Sequence, residues 1–150
     1  MGELTIHESG MIFGPFADSC VFQLEKSALY KGEFRQESIK TCEFVLQKDN
    51  KIYFIEAKES CPNDHNASSS DEKRKKYNEY IQDISQKMRD SLNMYMSILL
   101  GCNDSSELPR DMHLSDLSEY AIRFVLVVKN ECRKELVRTV SSNFSGKTEE

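Results

Sequence analysis

The sequence predicts a mixed α/β layered domain, a central sheet flanked by helices, and three stretches carry that prediction. Residues 41–58 read as a β-hairpin, residues 70–101 repeat apolar side chains at helical spacing, and residues 120–128 form a nearly continuous apolar run of strand length. A hairpin, a long helix and one more apolar strand, in that order, suit a sheet with a parallel crossover better than a bundle or a sandwich. The 150 residues make one domain, 1–150, with its core at about 40–140.

In the first forty residues, Thr5-Ile6-His7 and Met11-Ile12-Phe13 look extended, separated by Glu8-Ser9-Gly10, and Gly14-Pro15 marks a turn. Residues 19–30 fit either a short strand at 21–25 or an amphipathic helix, and periodicity does not choose between them. Residues 31–40 are a polar connection.

The hairpin has arms at 41–47 and 52–58, rich in Phe, Val, Ile, Tyr and Leu, around a polar turn at Asp49-Asn50. A two-residue loop, or a four-residue loop over 48–51, pairs Glu43 with Glu56; a three-residue loop would move Glu43 to the wrong face. Alternation then puts Cys42, Phe44 and Leu46 with Tyr53, Ile55 and Ala57 on one face. The other carries Val45, Ile52 and Phe54 and ends in Glu43, Glu56 and Lys58. Both faces are largely apolar, as in a strand pair covered on both sides. Carboxylates at Glu43 and Glu56, with Cβ atoms about 5 Å apart, repel unless a cation sits between them. Lys58, on the same face, supplies one and makes a structural salt-bridge cluster. A divalent ion is the alternative, because Mg²⁺ takes one or two carboxylates together with water and substrate phosphate.

Beyond the hairpin, residues 59–70 hold Pro62, Asn63-Asp64 and a serine run, and end the sheet. Asn66-Ala67-Ser68 matches a glycosylation sequon, without the secretion signal that would give it meaning. The helix that follows has a capping-box pair at Ser69 and Glu72 and apolar positions at Tyr77, Ile81, Ile84, Met88, Leu92, Tyr95 and Leu99, with Gly101 as its stop. At about 45 Å it outruns a small sheet, so its first turns, with the basic run Lys73-Arg74-Lys75-Lys76, project beyond it. Residues 103–119 are a polar connection with Pro109 and a short helical turn at 115–118. Residues 120–128 read as a buried strand parallel to a hairpin strand. Asn130 then caps a last helix, with Cys132, Leu136, Val137 and Val140 inward, before a frayed tail.

An acid on one strand, a hairpin turn, an apolar strand ending in Glu-x-Lys, then a helix: in this chain these are Glu43 and Ile52-Tyr53-Phe54-Ile55-Glu56-Ala57-Lys58. The pattern resembles the PD-(D/E)XK nuclease superfamily over roughly residues 40–128. The family usually has Asp, often after Pro, where this chain has Cys42-Glu43. The resemblance implies a restriction-endonuclease-like αβββαβ core and a metal-dependent nuclease acting on nucleic acid, with DNA the expected substrate. It further implies Mg²⁺ or Mn²⁺ held by Glu43, Glu56 and the Ala57 carbonyl, with Lys58 acting on the attacking water or the developing charge. An acid from the family's first helix would fall to Glu25. Lys75 and Lys76 are the candidates for phosphate contact, and Lys87, at the margin of the helix's core face, for a further one.

The rest of the composition narrows the field. A net charge of −5 argues against a stand-alone nonspecific nucleic-acid binder. It leaves room for a metal nuclease with an acidic site, and equally for the rival reading: a catalytically inactive interaction or regulatory module on the same fold, in a homodimer or a larger complex. Five cysteines without a C-x-x-C pair read as reduced thiols, and their wide spacing argues against the iron–sulfur cluster of some nucleases in the resembled superfamily. The three histidines are isolated, so no zinc site is assigned. The N-terminus lacks a signal-peptide pattern, Ile6 stands where myristoylation wants Ser or Thr, and no membrane span is present, which makes the cytoplasm the expected location.

Overall fold

The computed structural model of the chain describes residues 2–62 and 70–129. Its centre is the expected hairpin, β4 (Phe44–Lys48) and β5 (Lys51–Lys58). Asp49 and Asn50 sit at φ 52° and 58°, the left-handed pair that a two-residue mirror-image turn demands and that short polar side chains tolerate. That loop fixes the register, Lys48 opposite Lys51 through Phe44 opposite Ile55, as the turn residues predict.

The hairpin's first arm is shorter than expected. Strand β4 begins at Phe44, and Glu43 lies in a bend, its N–H donating to the Ile55 carbonyl at 3.0 Å. The bend undoes the alternation before it. Cys42, expected beside Phe44, packs instead in the opposite cluster with Val45, Ile52 and Phe54.

The sheet order is β3-β4-β5-β6, where β3 is Val21–Phe22 and β6 is Ala121–Val128. Strands β3, β4 and β5 are antiparallel neighbours, and β6 runs parallel to β5, with Ile55 opposite Val125. The parallel step requires a long crossover. Helix α1 (Asp71–Leu99) supplies it, so the sheet is mixed as predicted. Strand β6 is less covered than its sequence implies: Leu126 is buried, but Ile122 is exposed. The helix expected after Asn130 lies outside the described residues.

Helix α1 packs on one face of the sheet. Ser70 caps it, its hydroxyl accepting from the Lys73 N–H at 3.2 Å; Ser69, the expected cap, lies outside the described residues. Its first turns are exposed as expected, and burial begins at Ile81. The buried face runs Ile81, Ile84, Ser85, Met88, Ser91, Met94, Tyr95 and Ile98, while the predicted Tyr77, Leu92 and Leu99 are only half-buried. Ser91 marks a close approach to the hairpin. Its hydroxyl accepts from the Cys42 N–H at 2.7 Å and donates to the Lys87 carbonyl at 2.6 Å. Gly101, at φ 77°, ends the helix: its N–H reaches the Ile98 carbonyl, and the Cys102 N–H reaches that of Ser97.

Among the described residues, the other face is covered by a ribbon of β1 (Glu3–Glu8) and β2 (Met11–Ala17). Ile6, Phe13 and Phe16 pack on Phe44, Leu46 and Ile55, the Phe13 and Phe44 rings meeting edge-on at 5.5 Å. Gly14-Pro15 lies inside β2 instead of ending an element, next to a register shift between Leu4 and Ile6. Gly14 is required there. Its φ is 108°, and a Cβ would stand 2.9 Å from the Leu4 carbonyl oxygen.

Of the two alternatives for residues 19–30, the strand forms, but over Val21–Phe22 alone; a 3₁₀ turn at Leu24–Lys26 follows. Ser27 closes that turn by donating to the Leu24 carbonyl at 2.6 Å. A π-helical turn at Tyr30–Phe34 runs into the stretch 31–40, expected as plain connection. The later connection folds as 3₁₀ turns at Arg110–Met112 and Leu117–Glu119, and Tyr95 donates its hydroxyl to the Met112 carbonyl at 2.8 Å.

Candidate active site

Strand β5 brings Glu56 to the face that packs on α1, one alternation past Phe54. There it is completely buried. Lys87, projecting from α1, donates to Glu56 Oε1 at 2.8 Å, and Lys58 Nζ stands 3.6 Å from the same oxygen. Glu56 Oε2 is buried and accepts no hydrogen bond from the described residues. An ionised oxygen in that position calls for a cation or a donor.

Lys58 is itself held in place. Its Nζ lies 3.9 Å from Asp83 Oδ2 and 5.9 Å from the centre of the Tyr80 ring, both on α1. Asp83 is anchored in turn by Lys40 at 2.7 Å, and the Lys40 backbone N–H donates to Asp90 at 3.0 Å. Tyr80, Asp83 and Lys87 thus form a polar stripe on α1 beside its buried face, one helical turn per step.

The charges in this group act on one another. Burial pushes the Glu43 carboxyl up to about 7, and the neighbouring charges of Glu56, Glu8 and Glu25 push in the same direction, against Lys87. Burial also raises Glu56, although Lys87 and Lys58 oppose it. For Lys87 burial works downward, but the hydrogen bond and charge of Glu56 outweigh it and the ammonium is held above its ordinary range. Asp83 goes the other way: burial would raise it, yet Lys40 holds it below the usual carboxylate range. The Cys42 thiol, fully buried, is pushed up to about 12 and stays neutral at ordinary pH.

At the open end of the hairpin Glu56 is thus tied to Lys58 by an ion pair and to Glu43 by the repulsion between their charges. Glu25 is exposed on the turn after β3, not on a helix, yet its charge reaches both glutamates. The Ala57 carbonyl has an unexpected partner, the Ser9 hydroxyl of the β1–β2 turn at 3.0 Å, which leaves one lone pair for another ligand. Lys87, the candidate for a further phosphate contact, pairs with Glu56. Lys75 and Lys76 stand apart on the exposed first turns, facing Glu79 and Glu72 at 3.9 and 3.8 Å. Lys76 is about 16 Å from Lys87 along the helix axis.

Sequence reasoning missed Asp83, Lys40 and Tyr80. The spacing of Tyr80, Asp83 and Lys87 beside Ile84 carries a signal for two of the three; nothing in the sequence points to Lys40 or Ser9.

The donor chemistry suits a hard divalent ion. The described residues form no ready cage of three or more His, Cys, Asp or Glu side chains. Mg²⁺ does not need one, since it retains several waters and takes one or two carboxylates with substrate oxygens. Glu43 and the orphaned Glu56 Oε2 offer that set, and both carboxyls are raised, chiefly by burial. Among the described residues, no helix is long and apolar enough to cross a membrane. Comparison with protein-family models, with curated protein sequences and with solved structures finds no match to this chain.

Proposed function

We propose that the protein is a metal-dependent nuclease that hydrolyses phosphodiester bonds in nucleic acid, DNA first among them, on a restriction-endonuclease-like form of its mixed α/β fold. The observation that carries this reading is the burial of Glu56, with one oxygen orphaned, beside Glu43 and Lys58 at the end of the hairpin. The order hairpin, crossover helix, parallel strand is that of the resembled superfamily's core. A Mg²⁺ or Mn²⁺ ion bound there would polarise the scissile phosphate and lower the pKa of a bound water. Glu43 and Glu56 would hold the ion, with the remaining lone pair of the Ala57 carbonyl in reserve. Lys58, steered by Asp83 and the Tyr80 ring, would orient the attacking water or balance charge on the phosphate.

A second reading has its own observation. Lys87 and Lys58 already pair with Glu56, and a site neutralised this way is consistent with an interaction module that performs no chemistry. Calorimetric titration with Mn²⁺ separates the two. The nuclease reading expects saturable binding that Glu56→Ala abolishes; identical heats for wild type and Glu56→Ala would favour the interaction module.

A further inference from the structure

In the structure Lys87 occupies one oxygen of the very carboxylate that the proposed ion would need. Its ammonium sits 2.8 Å from Glu56 Oε1, and its side chain is 19 % exposed against 0 % for Glu56. The pair is thus almost closed off from water, where a charge-assisted hydrogen bond is strong. The second oxygen, Oε2, is buried with no partner among the described residues. One ammonium cannot satisfy both. A divalent ion brings twice the charge, to a carboxylate whose own charge already acts on Glu43.

Lys87 also has somewhere else to go. Helical side chains lean toward the N-terminus, so the residue four positions back is its natural neighbour. That residue is Asp83, whose carboxylate already faces Lys40 at 2.7 Å and Lys58 at 3.9 Å. Asp83 is about two-thirds shielded from solvent, and its charge already acts on Lys87.

We propose that Lys87 is the site's resident counter-cation: it neutralises Glu56 while the site holds no ion, and a divalent cation enters by displacing the ammonium from Glu56 toward Asp83. The inference rests on the metal-binding reading above and adds a cost to it, because an ion on Glu56 Oε2 would face the Lys87 ammonium across the same carboxylate, where the two cations repel. Lys87 is then a positioning residue whose removal strengthens metal binding, the opposite of what a ligand or a purely structural lysine would do.

Two measurements test this. The first is calorimetric titration of wild type, Lys87→Met and Lys87→Gln with Mn²⁺. Removing a competing charge-assisted hydrogen bond should tighten binding by about ten- to a hundredfold. The second needs no variant: amine-selective labelling of the wild-type protein, read by mass spectrometry, with and without saturating Mn²⁺. Lys87 should be protected in chelator and label several-fold faster with metal. If Mn²⁺ binds wild type and both variants alike, or binds the variants more weakly, the inference is overturned and the metal-binding reading stands. The same holds if Lys87 labelling in metal-saturated wild type is unchanged. If wild type and folded variants all fail to bind Mn²⁺, both fall. Should the variants not fold, the labelling result decides.

Discussion

Glu43 shows how far local sequence determines a side chain's situation. The register left by the Asp49-Asn50 turn would put it opposite Glu56, but the pairing ends one residue short, at Phe44 opposite Ile55. Its backbone conformation does not follow, since alternation cannot reveal that the strand gives way to a bend just before Phe44. Lys87 is the complementary case. A helical wheel puts it at the edge of the core face but cannot show which strand residue lies opposite. The glutamate yields a pH prediction. Glu43 is raised to about 7, so between about 4.5 and about 7 the folded protein keeps a proton that the unfolded chain has lost. Apoprotein stability in chelator should therefore fall as pH rises through that window, and Glu43→Gln should flatten the fall. Thermal melts of both proteins at several pH values measure it; parallel pH profiles would show that Glu43 is not raised by burial and its neighbours.

At the scale of elements, what was legible depended on whether the signal was local. The β4–β5 turn, the span and stop of α1, and the parallel β6 strand were all readable, because turn residues, 3.6-residue spacing and an unbroken apolar run are written in adjacent positions. The covering ribbon was legible only in part: the extended stretches at 5–7 and 11–13 fall within β1 and β2, but the course of β2 beyond them did not follow. Its strand β2 contains Gly14-Pro15, a dipeptide that ordinarily ends an element, and only the register shift opposite Leu4 and Ile6 accommodates it. The segment after β3 was ambiguous because Ser27 stops a 3₁₀ turn that periodicity alone cannot tell from the start of a helix. The turn offers the sharper test. Asn50 sits at φ 58°, which a β-branched residue adopts only under strain, so Asn50→Val should cost about 1–3 kcal/mol. Urea unfolding at an unchanged m-value checks this, and a loss within error of zero would mean that the turn relaxes.

Across the whole molecule, a three-layer arrangement makes the site possible. The ribbon on one face and α1 on the other bury the hairpin, so that Glu56 is shielded where the strand would otherwise meet water. Ser9 from the ribbon and Lys87 from the helix reach the hairpin from opposite sides. The exposed start of α1 carries the basic run on a chain of net charge −5, and on the nuclease reading it is where phosphate would dock. Replacing Lys75 and Lys76 with Gln should weaken DNA binding and reduce the slope of log affinity against log salt by up to about two. An unchanged slope would remove these lysines from the interface.

The central claim is that Glu43, Glu56 and Lys58 form a nuclease centre, and strand cleavage tests it most directly. Supercoiled DNA incubated with purified protein and Mn²⁺ should be nicked, and chelator should stop the reaction. Glu56→Ala should abolish both cleavage and metal binding. Lys58→Ala should lower turnover by about 10²–10⁴-fold while leaving Mn²⁺ affinity within a few-fold of wild type, because the lysine acts on the water or the developing charge and not on the ion. Equal rates for wild type and Lys58→Ala, across DNA and RNA and with either metal, would contradict the account.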